Sequence, residues 1–373
     1  RSVPNSHELD RPTTSIPVNG KSPQPASIEF LGNKTAMLDQ LMEQFRLALP
    51  EGASIIDLFS GTSSVSRAAR VAGYRVHAND HLPLCEMWAK ARLLASDPVT
   101  FDGLTGIATG SHPNRYEAVI TELNAVEPTA GWLTEHYSPE SLAVDGVERR
   151  YLTTDNAKRA DSMRDRIEDW RPDLTDEEHA LLLASLISGV TSVSNVAGTF
   201  GCYLKSWKPR ALGALRLQTI PLIKTNPEGH VVTSHDALTA VEESSADAIY
   251  ADPPYTKRQY GAYYHLLNSL VLNTKPPVTG KTGLPHWQEW SSDWCYAKRA
   301  ATALELVAAK AVCEWFFMSY SSDGHMSNDT IVDVLSSFGD LNVVEWQNRR
   351  YRSSRLLHTS DTVTERLYVL KKC

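Results

Sequence analysis

One apolar run, Ile249-Tyr250-Ala251, stops at a carboxylate, two prolines and an aromatic ring: Asp252-Pro253-Pro254-Tyr255. The prolines remove two backbone donors and stiffen the loop, which leaves the Asp252 carboxylate and the Pro253 carbonyl as acceptors beside an aromatic face. A planar amine suits that set. An exocyclic NH2 donates to both acceptors, which orients its lone pair toward an electrophile, while Tyr255 stacks on the ring of an extracted base. A second group able to do chemistry is Asp57-Leu58-Phe59-Ser60-Gly61, an apolar strand that ends in an acid and runs through a small-residue turn. Such a turn presents backbone N–H groups at the carboxyl edge of a sheet, where open α/β sheets bind ligands. Asp80 closes the next strand about 20 residues on, where an acid accepts both hydroxyls of a ribose. Thr62-Ser63 stands where a dinucleotide fingerprint would carry further glycines, so this is not that motif.

These acids work only if strands and helices bring them to one edge. Residues 54–59 read as a buried strand, followed by a helix through Ala72 and a second strand over 74–79, one β-α-β unit. A helix over 34–49, ended by Pro50-Glu51-Gly52, precedes it. Strand-like runs return at 230–233, 247–250, 315–318, 341–344 and 367–370, with helical segments between several of them. That alternation demands an α/β layout with a mainly parallel sheet. Between 81 and 227 the chain is mostly helical, and Thr175-Asp176-Glu177-Glu178 is a capping box opening a long apolar helix. The expected division is a flexible tail over 1–27, a catalytic domain from 28–95 and 228–373, and an inserted helical domain over 96–227.

With 373 residues, 42% of them hydrophobic, the chain is long enough to bury a full core. A formal net charge of −7 confines any nucleic-acid surface to a local basic patch. Two candidates stand out. Lys205, Lys208 and Arg210 alternate with Tyr203 and Trp207, and Arg349, Arg350, Arg352 and Arg355 crowd the link between the last two strands. Five scattered cysteines without CxxC spacing fit reduced thiols and a cytoplasmic setting rather than disulfides, and no metal is expected. No apolar run approaches the roughly 18 residues of a membrane span, and the first residues carry no secretory apolar core, so no membrane partner is expected.

Taken together and in order, Phe30-Leu-Gly-Asn-Lys34, Asp57 to Gly61, Asn79-Asp80, His235-Asp236 and Asp252 to Tyr255 resemble the alpha group of DNA adenine-N6 methyltransferases, the Dam-like class. Arg258-Gln259-Tyr260, Tyr264-His265-Leu266-Leu267, Gly198 to Gly201 and Tyr203-Leu204-Lys205 resemble its FokI-type members. The resemblance implies a Rossmann-like fold with a seven-stranded sheet and an inserted target-recognition domain. It also implies transfer of a methyl group from S-adenosylmethionine, with S-adenosylhomocysteine as product, to N6 of a flipped adenine in duplex DNA. A restriction endonuclease or another defence protein would be the companion. Carried over by position, Gly32, Asn33 and Lys34 would close over the methionine end of the cofactor, with Lys34 facing its carboxylate. Asp57 would hold the ammonium, and Phe59, Ser60, Gly61 and Thr62 would form the wall and floor. Asp80 would take the ribose, Asp236 the cofactor's adenine, and Asp252 would border the methyl group. Asp252, Pro253, Pro254 and Tyr255 would be catalytic, with Lys257 and Arg258 beside them on DNA phosphates. The acceptor loop reads an exocyclic amine rather than one ring, so cytosine N4 or an RNA base stays open on that motif alone. So does a DNA-binding specificity protein of the same fold without activity.

Overall fold

The computed structural model describes residues 34, 37–224, 228–349 and 362–373. Seven strands form one sheet: β1 (Ser54–Asp57), β2 (Arg75–Asn79), β3 (Val231–Thr233), β4 (Ala248–Ala251), β5 (Trp315–Ser321), β6 (Gly339–Arg349) and β7 (Thr362–Lys372). Their order is β3-β2-β1-β4-β5-β7-β6. The first five are mutually parallel, and β7 runs antiparallel to both β5 and β6. The fold is therefore α/β with a mainly parallel seven-stranded sheet.

Neighbouring residues along the central strands are both apolar because helices cover both faces. Ile55, Tyr250, Phe317 and Leu367 turn to one face and pack under the helix Leu38–Ala48 through Leu41 and Phe45. Ile56, Ile249, Phe316 and Met318 turn to the other, under the helices Ala237–Glu243, Ala300–Lys310 and Asn328–Ser336. Among the described residues no helix is long and apolar enough to cross a membrane.

The helical part has a core of its own, and the capping box forms as its sequence requires. Thr175 Oγ1 accepts from Glu178 N–H at 3.2 Å, and Glu178 Oε2 accepts from Thr175 N–H at 3.0 Å. That core draws in Leu84, Trp88 and Ala95 from before the inserted stretch, and Tyr264 and Leu270 from well after it. The helical body and the sheet thus share chain on both sides of the site.

The order of strands decides what meets what. From β1 the chain goes to β2 on one side, while β4 lies on the other, so β1 and β4 flank the switch point where open sheets bind ligands. Asp57 pairs in register with Tyr250, two residues before Asp252. Strand ends far apart in sequence are thereby adjacent in space.

Asn79, fully buried at the end of β2, ties three strand ends together. Its Nδ2 donates to Leu58 O at 3.2 Å and His235 O at 3.0 Å, and its Oδ1 accepts from Thr233 Oγ1 at 2.8 Å and His235 N at 3.1 Å. Asn79→Ala orphans a buried partner at the end of β1 and partly buried ones beyond β3, and should cost about 2–4 kcal/mol. Denaturant unfolding checks this; a loss below about 0.5 kcal/mol, the usual surface value, would show that the strand ends are held by other means.

Candidate active site

β1 stops at Asp57 because the backbone turns away at once. Leu58 N–H still donates to Tyr250 O at 2.9 Å, Ser60 N–H donates to Asn79 O at 2.9 Å, and Gly61 enters the left-handed region at φ 51°. Ser63 holds φ 59° just before the helix Ser64–Val71, which is the conformation that glycine would adopt freely. The departure at Thr62-Ser63 thus keeps a glycine-like path with a serine in it. Arg92 fixes the turn from the helical side: its Nη1 donates to Thr62 O at 2.6 Å while its guanidinium lies over the Trp88 ring at 4.4 Å.

The expected positions that the structure describes, from Lys34 through 57–62, Asp80 and Asp236 to 252–255, line one cavity of about 510 Å³. That volume is in the range of small-molecule sites. Gly32 and Asn33 lie outside the described residues.

Asp57 is the most strained group in the cavity. Its Oδ2 accepts from Ser66 Oγ at 2.6 Å, but its buried Oδ1 has no hydrogen-bond partner among the described residues. Burial pushes its pKa up to about 7, against the pull of Ser66, and Asp252 and Asp80 add to the rise. Asp80 is better provided for, with Oδ2 accepting from Gly61 N–H at 2.9 Å and Oδ1 from Leu82 N–H at 3.0 Å. It braces the turn and still has lone pairs for hydroxyl donors. Asp236 caps the helix Ala237–Glu243, accepting from the N–H groups of Leu238 and Thr239 and from Thr239 Oγ1 at 2.6 Å.

Lys34 turns toward Asp252. Its Nζ stands 2.9 Å from Asp252 Oδ1, 4.0 Å from Glu365 Oε2 and 5.9 Å from the centre of the Tyr255 ring. The approach to Asp252 is a close, buried ion pair. Burial works against the Lys34 ammonium, but Asp252 and Glu365 outweigh it and keep its pKa above the usual lysine value. Asp252 rises to about 6 through burial, with Lys34 pulling it down and Glu365 pushing it up.

Three parts of the site are not among the residues read from the sequence, two of them lining the cavity and one, Glu365, meeting Lys34 from behind that lining. Glu365 stands on β7, in an alternation that puts it on the face of Leu367 and Val369, and a carboxylate on that apolar face is its signal. Trp294 meets Phe59 edge-on at 5.3 Å and belongs to a segment with three tryptophans, Trp287, Trp290 and Trp294. Gln259 pins that segment to the acceptor loop, accepting from Ser292 N–H at 3.0 Å, and His81 Nε2 lies 2.8 Å from Glu289 O. The third part is the helix Ala300–Lys310, whose Thr302, Ala303, Leu306 and Val307 form the far wall.

The basic candidates divide. Lys257 and Arg258 are exposed just beyond Tyr255. Lys205 and Arg210 are exposed too, but Lys208 Nζ and Arg210 Nη2 both donate to Val196 O, at 2.9 and 3.4 Å, and are partly spent on local structure. Phe200 N–H donates to Tyr263 O at 2.9 Å, which seats this segment against the helices after the acceptor loop. Of the arginine cluster, Arg350, Arg352 and Arg355 and the side chain of Arg349 lie outside the described residues.

A family model described as D12 class N6 adenine-specific DNA methyltransferase matches residues 30–338. The type II methyltransferase M.FokI of Planomicrobium okeanokoites is 32% identical over 350 residues, covering 92% of this chain and 53% of its own. The modification methylase StsI of Streptococcus sanguinis is 28% identical over 351 residues, 92% and 52% of the two chains. The type II methyltransferase M.NlaIII of Neisseria lactamica is 32% identical over 259 residues, 68% and 75%. The chain spans about half the length of the first two.

The strained Asp57 yields a test. With its folded pKa raised from 3.8 to about 7, folding favours the protonated acid, so its contribution is most favourable below pH 3.8 and is lost as pH rises through 7. Asp57→Asn should therefore stabilise the ligand-free protein at pH 8 by roughly 2–4 kcal/mol, a gain that shrinks by more than half at about pH 5. Thermal unfolding at the two pH values measures it. An equal loss of stability at both would mean that Asp57 is not a buried charge at odds with the fold.

Proposed function

The chain belongs to the D12 class N6 adenine-specific DNA methyltransferase family, and from that premise we propose that it methylates N6 of an adenine turned out of duplex DNA, using S-adenosylmethionine. One observation carries the reading: Asp57 and Asp252, at the ends of β1 and β4, face the same cavity with complementary needs. Asp57 offers a cation a buried carboxylate oxygen that has no partner among the described residues, and 252–255 offers acceptors and a ring to a flat amine.

When bound, S-adenosylmethionine supplies an electrophilic sulfonium methyl with a good leaving group. Asp57 Oδ1 suits its ammonium, and Asp80, braced by Gly61 and Leu82, has lone pairs left for the ribose hydroxyls. Phe59 and Trp294, packed edge to face, form an apolar wall of the cavity, with Ser60, Gly61 and Thr62 as the floor. Asp236, on the cavity lining, suits the cofactor's amino group as an acceptor. On the substrate side, Asp252 and the Pro253 carbonyl accept the two amine hydrogens and turn the N6 lone pair toward the methyl group. Tyr255 supports the base, its own ring steadied edge-on by Tyr320 at 6.1 Å. Asp252 need not be a strong base, because the proton leaves after N6 has become cationic. Its carboxylate then stabilises the charge that develops, and positioning does the rest.

Around this centre, Lys257 and Arg258 suit the phosphates flanking the flipped base, with Lys205, Lys208 and Arg210 on the helical body and the arginines Arg349, Arg350, Arg352 and Arg355 as further phosphate partners. The relatives' names, type II methyltransferase and modification methylase, support a place in a restriction-modification system with a nuclease as companion.

Single-turnover methylation of duplex DNA, with product analysis for N6-methyladenine, tests the reading. Asp252→Ala should lower the rate by about 10²–10³-fold while cofactor affinity stays near wild type, since Glu365 remains to pair Lys34. Tyr255→Phe keeps the stacking face and much of the activity; Tyr255→Ala loses about 1–3 kcal/mol of stacking and most of it. Near wild-type transfer by Asp252→Ala would overturn the assignment of the acceptor loop.

A further inference from the structure

Two acids flank one cation, Lys34, which lines the amine side of the cavity beside Asp252, and the acid behind it is underused. Asp252 holds Lys34 at 2.9 Å, while Glu365 Oε2, buried and 4.0 Å away, accepts no hydrogen bond among the described residues. Glu365 sits on β7 beside Leu367 and Val369, whose side chains pack beneath the helix Leu38–Ala48. A carboxylate placed there costs free energy, and a threonine or valine would sit more comfortably. Its Lys34 partner is already engaged elsewhere, so the resting arrangement alone gives it little to do.

Amine methylation creates a use. An incoming amine draws on the same carboxylate that now pairs Lys34, which weakens the hold of Asp252 on the lysine, and a buried ammonium left without a close partner is strongly disfavoured. Lys34 therefore needs somewhere to go that is close, charged and dry. We propose that Glu365 is a positioning residue that takes over Lys34 when the base enters, so that Asp252 is released to the amine without leaving an unpaired cation. The movement is small: the 4.0 Å separation closes to the ~2.8 Å of a charge-assisted hydrogen bond. Lys34 stays near the Tyr255 ring throughout, so its charge remains beside the loop that holds the base. The inference rests on reading the cavity as an amine methylation site.

The test compares wild type, Glu365→Gln, Glu365→Asp, Lys34→Met and the Lys34→Met/Glu365→Gln double variant. Three quantities are read: the single-turnover methylation rate on duplex DNA, cofactor affinity by calorimetry, and the NMR titration of the Lys34 side chain without ligands. Glu365→Gln should slow transfer about tenfold with cofactor affinity held within about twofold, and Glu365→Asp should recover part of the loss. In the Lys34→Met background the same Gln substitution should change the rate less than about twofold, because its only route of action is gone. Without ligands, Glu365→Gln should lower the titration midpoint of Lys34. Equal losses in both backgrounds, or an unchanged Lys34 titration, would overturn the positioning role. A wild-type protein that methylates no duplex, yet shows the expected Lys34 titration shift, would instead overturn the functional reading and with it the handover, leaving Glu365 only a structural partner of Lys34.

Discussion

A carboxylate taken out of water costs several kcal/mol unless donors or a cation compensate it. This fold sets Asp57 and Asp252 on one cavity and Glu365 just behind it, all largely buried, with Lys34 between the last two. Much of the surrounding structure makes that concentration of charge tolerable. Ser66 satisfies half of Asp57, the turn amides of Gly61 and Leu82 satisfy Asp80, and Asn79 locks the strand ends that carry them. What is left uncompensated among the described residues, Asp57 Oδ1 above all, is where the proposed function puts a ligand's positive charge. The ligand-free site gives up stability in order to be ready for binding.

Two bodies hold this arrangement. The sheet sets the spacing of the acids, because β1 and β4 are neighbours and their ends are in register. The helical body sets the walls: Trp88 and Arg92 anchor the turn after β1, and 198–205 seats against the helices that follow the acceptor loop. Since Leu84 and Tyr264 share one apolar cluster across the inserted stretch, a shift of the helical body would reach the cavity from both sides.

The strand ends at Asp57 and Asp252 are legible in the sequence because an apolar run that halts at an acid, followed by small residues or prolines, has few structural uses. The capping box at Thr175 is legible because its logic is local. Strand lengths are less so: β6 and β7 form an eleven-residue antiparallel pair where the apolar runs suggest four, because pairing carries polar residues into a ladder. Glu365 is legible only when β7's alternation is traced from Leu367 and Val369, since an acid next to Arg366 otherwise reads as a solvent-facing pair. The partner of Lys34 is beyond reach of the sequence, because which acid it meets depends on the sheet order. Trp294 is hidden for a similar reason: its segment has no periodicity, and only Gln259 and His81 bring it over the site.

The central claim is geometric: one cavity binds a cationic cofactor at the end of β1 and an amine at the end of β4, close enough for direct transfer. A crystal structure with S-adenosylhomocysteine and a duplex carrying the methylated site tests it most directly. The account predicts the amino-acid ammonium of the cofactor on Asp57 Oδ1, the flipped adenine's N6 between Asp252 and the Pro253 carbonyl, and the sulfur in line with N6. A base bound outside 252–255, or an ammonium held by residues other than Asp57, would contradict it.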